Sequence, residues 1–269
     1  QPTKACEGFA RSCGTTPEKL TRIETDKGSW MVFRQIIKGQ KAKALLPLFV
    51  TESLADLPIP KRMRWGAGRV EFVRPVHWVV MLGNGDVIEG EVLGKKTDRH
   101  TQGHRFHSPG RIAIPFAEDA SILREKGQVI ADFGQRRSRI ESQIRQVAQN
   151  LGAEAVIDSA LLDEVTALNE WPVALAGRFE ERFLSVPAEA LISTMKENQK
   201  YFHLLDPQGR MLPAFITVAN IESRDPAQVI KGNERVVRPR LTDAAFFFET
   251  DRKQSLESRL PALRTIVFQ

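Results

Sequence analysis

Tyr201-Phe202-His203-Leu204-Leu205-Asp206-Pro207-Gln208-Gly209-Arg210-Met211-Leu212-Pro213-Ala214-Phe215-Ile216-Thr217-Val218 is the stretch from which the rest of the chain can be read. Two apolar runs, Tyr201 to Leu205 and Met211 to Val218, flank Asp206-Pro207-Gln208-Gly209. Aspartate, proline and glycine each favour a turn, so the runs are expected to pair as a hairpin. Just upstream, Pro187 to Lys196 reads as a helix with proline in its first turn, and downstream Asp225-Pro226 reads as a helix start. Strands and helices follow one another without regular alternation, which favours an α+β class over a doubly wound sheet.

Working outward, the first sixty residues read as helix, hairpin, helix. Thr16-Pro17 is a helix-start signal, Asp26-Lys27-Gly28 a turn between Leu20 to Thr25 and Trp30 to Ile37, and Lys41 to Leu57 an amphipathic helix stopped by Pro58-Ile59-Pro60. Val70 to Leu93 is strand-like around Gly83-Asn84-Gly85-Asp86, a tight hairpin signal. Charge density rises through Lys95 to Arg111, and after Pro115 come a short helix and a longer one, Asp132 to Leu151, ended by Gly152. The arginines of that helix, Arg136, Arg137, Arg139 and Arg145, read as solvated. The division expected is an N-terminal helix-hairpin-helix module over 1–62, a core domain over 63–245 and the start of a helical connector over 246–269.

The chain has 269 residues, 42% of them hydrophobic, enough for a full core. No apolar run approaches the roughly 18 residues of a membrane span, and no signal or transit pattern opens the chain, so a cytoplasmic setting with no membrane partner is expected. Cys6 and Cys13 are the only cysteines and read as reduced packing residues. A net charge of +6 favours a polyanionic partner. The start at Gln1 and the apolar ending from Leu263 to Gln269 suggest a piece of a longer polypeptide.

Lys231-Gly232-Asn233-Glu234-Arg235-Val236-Val237-Arg238-Pro239-Arg240 carries four cations within ten residues and is soon followed by Phe246-Phe247-Phe248. Pro239 argues against a simple helix face, so Arg235, Arg238 and Arg240 are read as presented to an anion, with the three phenylalanines buried between layers. Lys196 and Lys200, beside the only tyrosine, join that candidate group. The competing reading is internal pairing with Glu197, Glu234, Asp243 or Glu249. Arg99, His104 and Arg105 form a second candidate loop, since arginine forks and imidazole donors suit phosphate. His100, His104 and His107 could in principle converge on a metal. Gly103 and Pro109 interrupt a helix there and the arginines repel a cation, so no metal is expected. No nucleotide-binding loop, nucleophile elbow or metallopeptidase helix is present, and no catalytic residue is assigned.

Thr194-Met195-Lys196 with Gln199-Lys200-Tyr201-Phe202, Val218-Ala219-Asn220-Ile221-Glu222-Ser223, Gly232-Asn233-Glu234 and Val236-Val237-Arg238-Pro239-Arg240-Leu241 together resemble the beta subunit of the bacterial tetrameric glycyl-tRNA synthetase. Pro58-Ile59-Pro60-Lys61, Met63-Arg64-Trp65-Gly66, Phe72-Val73-Arg74-Pro75-Val76-His77, Gly103-His104-Arg105-Phe106 and Glu170-Trp171-Pro172-Val173 are similar to it as well. The resemblance implies an α2β2 glycine–tRNA ligase in which the alpha subunit activates glycine with ATP and Mg, and beta recognises and positions tRNA(Gly). It implies a B3/B4-like core similar to the editing module of the phenylalanyl enzyme's beta subunit, with HD-like and anticodon-binding domains further along. The chain itself would need no cofactor, and the candidate cations would face tRNA or the alpha subunit. Hydrolytic editing of mischarged tRNA and pure assembly scaffolding are the alternatives.

Overall fold

The computed structural model describes residues 3–117 and 121–263, so the terminal apolar stretch from Arg264 onward lies outside the described residues. The chain divides into two compact units, Gln1–Pro58 and Ile59–Gln269.

The first unit contains α1 (Lys4–Ser12), a 3-10 turn at Pro17–Lys19, the antiparallel pair β1 (Thr21–Thr25) and β2 (Gly28–Val32), and α2 (Ala42–Asp56). Thr3 starts α1 by accepting from the Cys6 N–H on its hydroxyl. The β1–β2 turn falls at Asp26-Lys27, with Gly28 at φ +118° taking the positive dihedral. The helix expected over Lys41 to Leu57 forms, but it is not two-faced. None of its residues is buried, and Leu46, Leu48 and Phe49 are exposed, because apolar residues run consecutively from Ala44 to Val50 and so surround the helix. Cys6 and Cys13 are free thiols.

The second unit opens with short strands. β3 (Met63–Arg64) pairs with β4 (Glu71–Phe72), and β5 (Val79–Val80), β9 (Lys95–Asp98) and β8 (Glu91–Val92) form a three-stranded sheet in that order. β6 (Leu82–Gly83) and β7 (Asp86–Val87) make the hairpin signalled by Asn84-Gly85, which sit at φ 52° and 83° as a primed turn requires. β10 (His100–Gln102) pairs with β11 (Arg111–Ala113), and α3 (Ser121–Glu125) follows.

The larger part of this unit surrounds a four-stranded antiparallel sheet ordered β12 (Glu154–Ala155), β14 (Phe202–Leu205), β15 (Met211–Ala219), β13 (Val173–Arg178). The hairpin expected between Tyr201 and Val218 is its centre, with Phe202 opposite Ile216 and His203 opposite Phe215, and a bulge before Leu205 meets Met211. Side chains alternate between the sheet faces. Phe202, Leu204, Ala214 and Ile216 pack against α4 (Phe133–Asn150) and α5 (Ser159–Leu168) through Ile140, Ile144, Leu161, Leu162 and Val165. Tyr201 and Phe215 face the other way, onto Leu191 of α6 (Ala188–Ser193), Met195, and Val237 and Leu241 of α7 (Pro226–Asp251). Each fully buried Leu, Ile or Phe contributes about 1.5–3 kcal/mol of transfer free energy. Gly177, opposite Phe215 in register, leaves the space its ring fills, and a Cβ there would overlap that ring.

Aspartates start the long helices. Asp132 accepts from Gln135 N–H, Asp158 from Leu161 N–H and Asp225 from Gln228 N–H, each cap contributing about 1 kcal/mol. Gly152 at φ 64° ends α4 as expected. The arginines expected to be solvated on α4 are partly drawn inward. Arg136 donates to the Ile130 and Ala131 carbonyls at 2.6 and 2.9 Å, Arg137 pairs with Asp163 at 2.6 Å, and Arg139 lies 4.8 Å over the Trp171 ring. The chain's last described helix is α8 (Leu256–Leu263).

Two expectations about α7 are corrected. The helix continues through Pro239, because fully buried Val237 and Leu241 hold the turns on either side and offset the roughly 3 kcal/mol an internal proline costs. Of the three phenylalanines only Phe248 packs on the core, while Phe246 and Phe247 are 60% and 62% exposed and meet each other edge-on at 5.6 Å. Successive helical residues are rotated by about 100°, so one buried stripe cannot take three in a row.

Candidate nucleic-acid interface

α6 does not simply end at Ser193. It widens into a π-helical turn, Thr194–Gln199, closed by Lys200 in the left-handed region at φ 60°. Such π-turns are rare and concentrate at functional sites, and a left-handed lysine is held there only by its surroundings. Lys196 Nζ lies 3.0 Å from Asp158 Oδ2, and Lys200 Nζ lies 2.9 Å from Glu164 Oε2. Both lysines therefore latch the turn to α5. Asp158 is held below its ordinary pKa by the Leu161 N–H and then by Lys196, while its hydrogen bond raises Lys196.

Tyr201 ties the turn to α7. Its ring stacks on Phe215 at 4.4 Å and its hydroxyl donates to Asn233 Oδ1 at 2.7 Å. Burial pushes its phenol up to about 12, against the opposing pull of the Arg240 charge, so the group is a neutral donor at physiological pH.

On α7, buried Val237 and Leu241 face the sheet and the arginines flank them. Arg238 pairs with Glu180 at 2.6 Å, and the other oxygen of Glu180 is buried with no hydrogen-bond partner, so Arg238 neutralises a partly buried carboxylate. Arg235 and Arg240 are exposed. Among the described residues neither has a carboxylate within 4.0 Å. Internal pairing thus does occur in this group, but to Asp158, Glu164 and Glu180 rather than to the nearby carboxylates the sequence suggested.

The second candidate group separates. Arg99 turns inward and donates to the Gly85 carbonyl at 2.9 Å. His104 is 3% exposed, with Nε2 bonded to the Asn220 carbonyl at 2.7 Å and Nδ1 accepting from the Phe106 and His107 N–H groups. It cannot meet a phosphate, and holds instead the loop that carries it. Gly103 is needed beside it, since a Cβ would sit 2.6 Å from the Gly127 carbonyl oxygen that the His104 N–H engages. Arg105 alone is left outward, over Phe106. His107 accepts from Glu222 N–H and His100 pairs with Asp98. The three histidines are thus committed to different partners.

A cleft of about 320 Å³ was missed from sequence. It is lined by His77, Trp78, Lys95, Lys96, His100 and Arg111, drawn from β9, β10, β11 and the approach to β5. The rise in charge from Lys95 to Arg111 was its only linear trace.

The whole chain, residues 1–269, matches the family described as glycyl-tRNA synthetase beta subunit. It is 63% identical to the glycine–tRNA ligase beta subunit of Hahella chejuensis over 269 residues, all of this chain and 39% of that protein. The corresponding proteins of Marinobacter nauticus and Klebsiella pneumoniae are 58% and 52% identical, again over 100% of this chain and 39% of theirs. The chain belongs to the glycyl-tRNA synthetase beta subunit family, and it spans about two fifths of the length of these relatives. Among the described residues no helix is long and apolar enough to cross a membrane.

Proposed function

We propose that this chain is the part of a glycine–tRNA ligase beta subunit that binds and positions tRNA(Gly), working with an alpha subunit that carries the ATP- and Mg-dependent chemistry in the cytoplasm. The observation that carries this reading is the pair of exposed, unpaired guanidiniums, Arg235 and Arg240, on a helix anchored by Val237 and Leu241. Guanidiniums free of carboxylates can release counterions from phosphates, whereas paired ones must first break an ion pair. Lys196, Lys200, Arg238 and Arg105 are read as secondary contacts to RNA or to the alpha subunit. The antiparallel sheet with helices on both faces is read as the B3/B4-like module, preceded by a helix-hairpin-helix module.

The test is tRNA(Gly) binding by the alpha–beta complex reconstituted with the whole beta chain. Arg235→Ala with Arg240→Ala should weaken binding about tenfold and make the salt dependence shallower by about two, one for each phosphate no longer neutralised. Unchanged affinity and unchanged salt slope would remove α7 from the interface. Arg238→Ala is the poorer probe, because it strands Glu180.

A further inference from the structure

The cleft missed from sequence has an aromatic wall held in place by a hydrogen bond of its own. Trp78 is 41% exposed, yet its orientation is fixed, because its indole N–H donates to Thr101 Oγ1 at 2.9 Å. The opposite charge in the cleft is already satisfied. Asp98 accepts from the adjacent Arg99 N–H at 2.8 Å, from His100 Nδ1 at 3.0 Å and from Arg111 at 2.7 Å. Those bonds hold its carboxyl below the ordinary range and fix the His100 ring and the Arg111 guanidinium in the lining of the cleft. Lys95 and Lys96 are not so engaged. Glu91 stands opposite Lys96 in the β8–β9 register, but among the described residues no carboxylate comes within 4.0 Å of either ammonium.

We propose that this cleft binds one unpaired nucleotide of an RNA strand, with the base on the face of Trp78 and the adjoining phosphate on Lys95 and Lys96. Three features select that ligand. A π-face held by its own hydrogen bond suits stacking with any base, as single-strand RNA binders use it. The free ammonium groups supply charge for a phosphate but no shape-specific fork. The volume, about 320 Å³, is at the small end of ligand pockets and admits one nucleotide rather than a helix. An acidic peptide would satisfy the lysines but leave the indole face without a partner. This site lies on strands rather than on α7, and the inference rests on the reading that the partner is tRNA.

The experiment uses the alpha–beta complex with the whole beta chain and two probes, an unstructured single-stranded RNA tetranucleotide and intact tRNA(Gly), followed by fluorescence anisotropy. Trp78→Ala should weaken tetranucleotide binding about tenfold, while Trp78→Phe, which keeps a ring, should remain within about threefold of the parent. Lys95→Ala with Lys96→Ala should weaken it and reduce the salt slope by about 0.7 for each phosphate no longer neutralised. Arg235→Ala with Arg240→Ala should leave tetranucleotide binding unchanged even while weakening tRNA(Gly), so failure of the α7 interface and failure of the cleft are read separately. Hydrogen exchange at β9 and β10 matching the parent confirms that the variants are folded. The proposal is overturned if the parent complex does not bind the tetranucleotide. It is also overturned if folded Trp78→Ala binds it as well as the parent does, or if inorganic phosphate competes as well as the tetranucleotide, which would mark a plain anion site.

Discussion

Between Asp132 and Asp251 the chain is held together by apolar burial, and between Met63 and Ala113 by polar side chains bonded to backbone. The first region fills both faces of its sheet, with Phe202, Phe215, Ile140 and Leu241 fully buried. The second has strands of only two to four residues and few buried side chains, chiefly Ile88, Val92 and His104. Its cohesion comes from Thr97, whose hydroxyl lies 2.7 and 3.2 Å from the Ile88 and Gly90 carbonyls, and from Arg99 and His104. Strands that short cannot bury a continuous apolar face, so polar anchors replace it. The same arrangement leaves lysines, histidines and an indole at the surface, while in the sheet-and-helix region most candidate cations are consumed by ion pairs. Of the candidate cations in that region, only Arg235 and Arg240 therefore stay available to a ligand, while Lys196, Lys200 and Arg238 are paired.

Variants can break or sharpen this contrast. Phe215→Ala should cost about 3–5 kcal/mol and release exchange protection along β14 and β15, since it removes both the Tyr201 stack and the ring that fills the space over Gly177. His104→Ala should cost about 2 kcal/mol, because the Asn220 carbonyl and two backbone N–H groups lose a buried partner. The effect should be confined to exchange in the short-strand region and the Asn220 segment. If the two effects spread over the same amides, the regions unfold as one and the contrast fails.

Tyr201→Phe should cost about 1 kcal/mol and change the alkaline response. The folded phenol, at about 12, lies above the ordinary tyrosine value of 10.0, so its protonated form is favoured by folding. Its contribution is complete below about pH 10 and is lost as pH rises toward 12. Urea unfolding at successive alkaline pH values should show a decline in the parent that is shallower in the variant. The smallest effect is expected for Lys200→Gly. Relief of the left-handed backbone offsets an ion pair worth at most about 1 kcal/mol, so stability should hardly move. Weaker tRNA(Gly) binding by an equally stable Lys200→Gly variant would show that the latch also serves the ligand.

The parts of the fold readable in one dimension are those set by neighbouring residues. Asp206-Pro207-Gln208-Gly209 makes its turn, Asp225-Pro226 starts α7, and Asp132 and Gly152 bound α4, because caps and turns act within about four residues. Elements that depart from the sequence pattern depend on what lies across the fold. Pro239 is tolerated because of burial on a helix face, and Phe246 and Phe247 are left out because one stripe already holds Phe248. The partners of Lys196, Lys200 and Arg238 are 38, 36 and 58 residues away, beyond any local pattern.

The sequence by itself determined the family, through many ordered motifs along the whole chain, and the α+β class, through turns and caps that are local chemistry. Only the tertiary structure decided which cations are free. Coulombic pairing and burial depend on distances set by packing, and those distances placed Asp158, Glu164 and Glu180 against three of the expected ligands, buried His104, and left Lys95, Lys96 and Trp78 around a cleft.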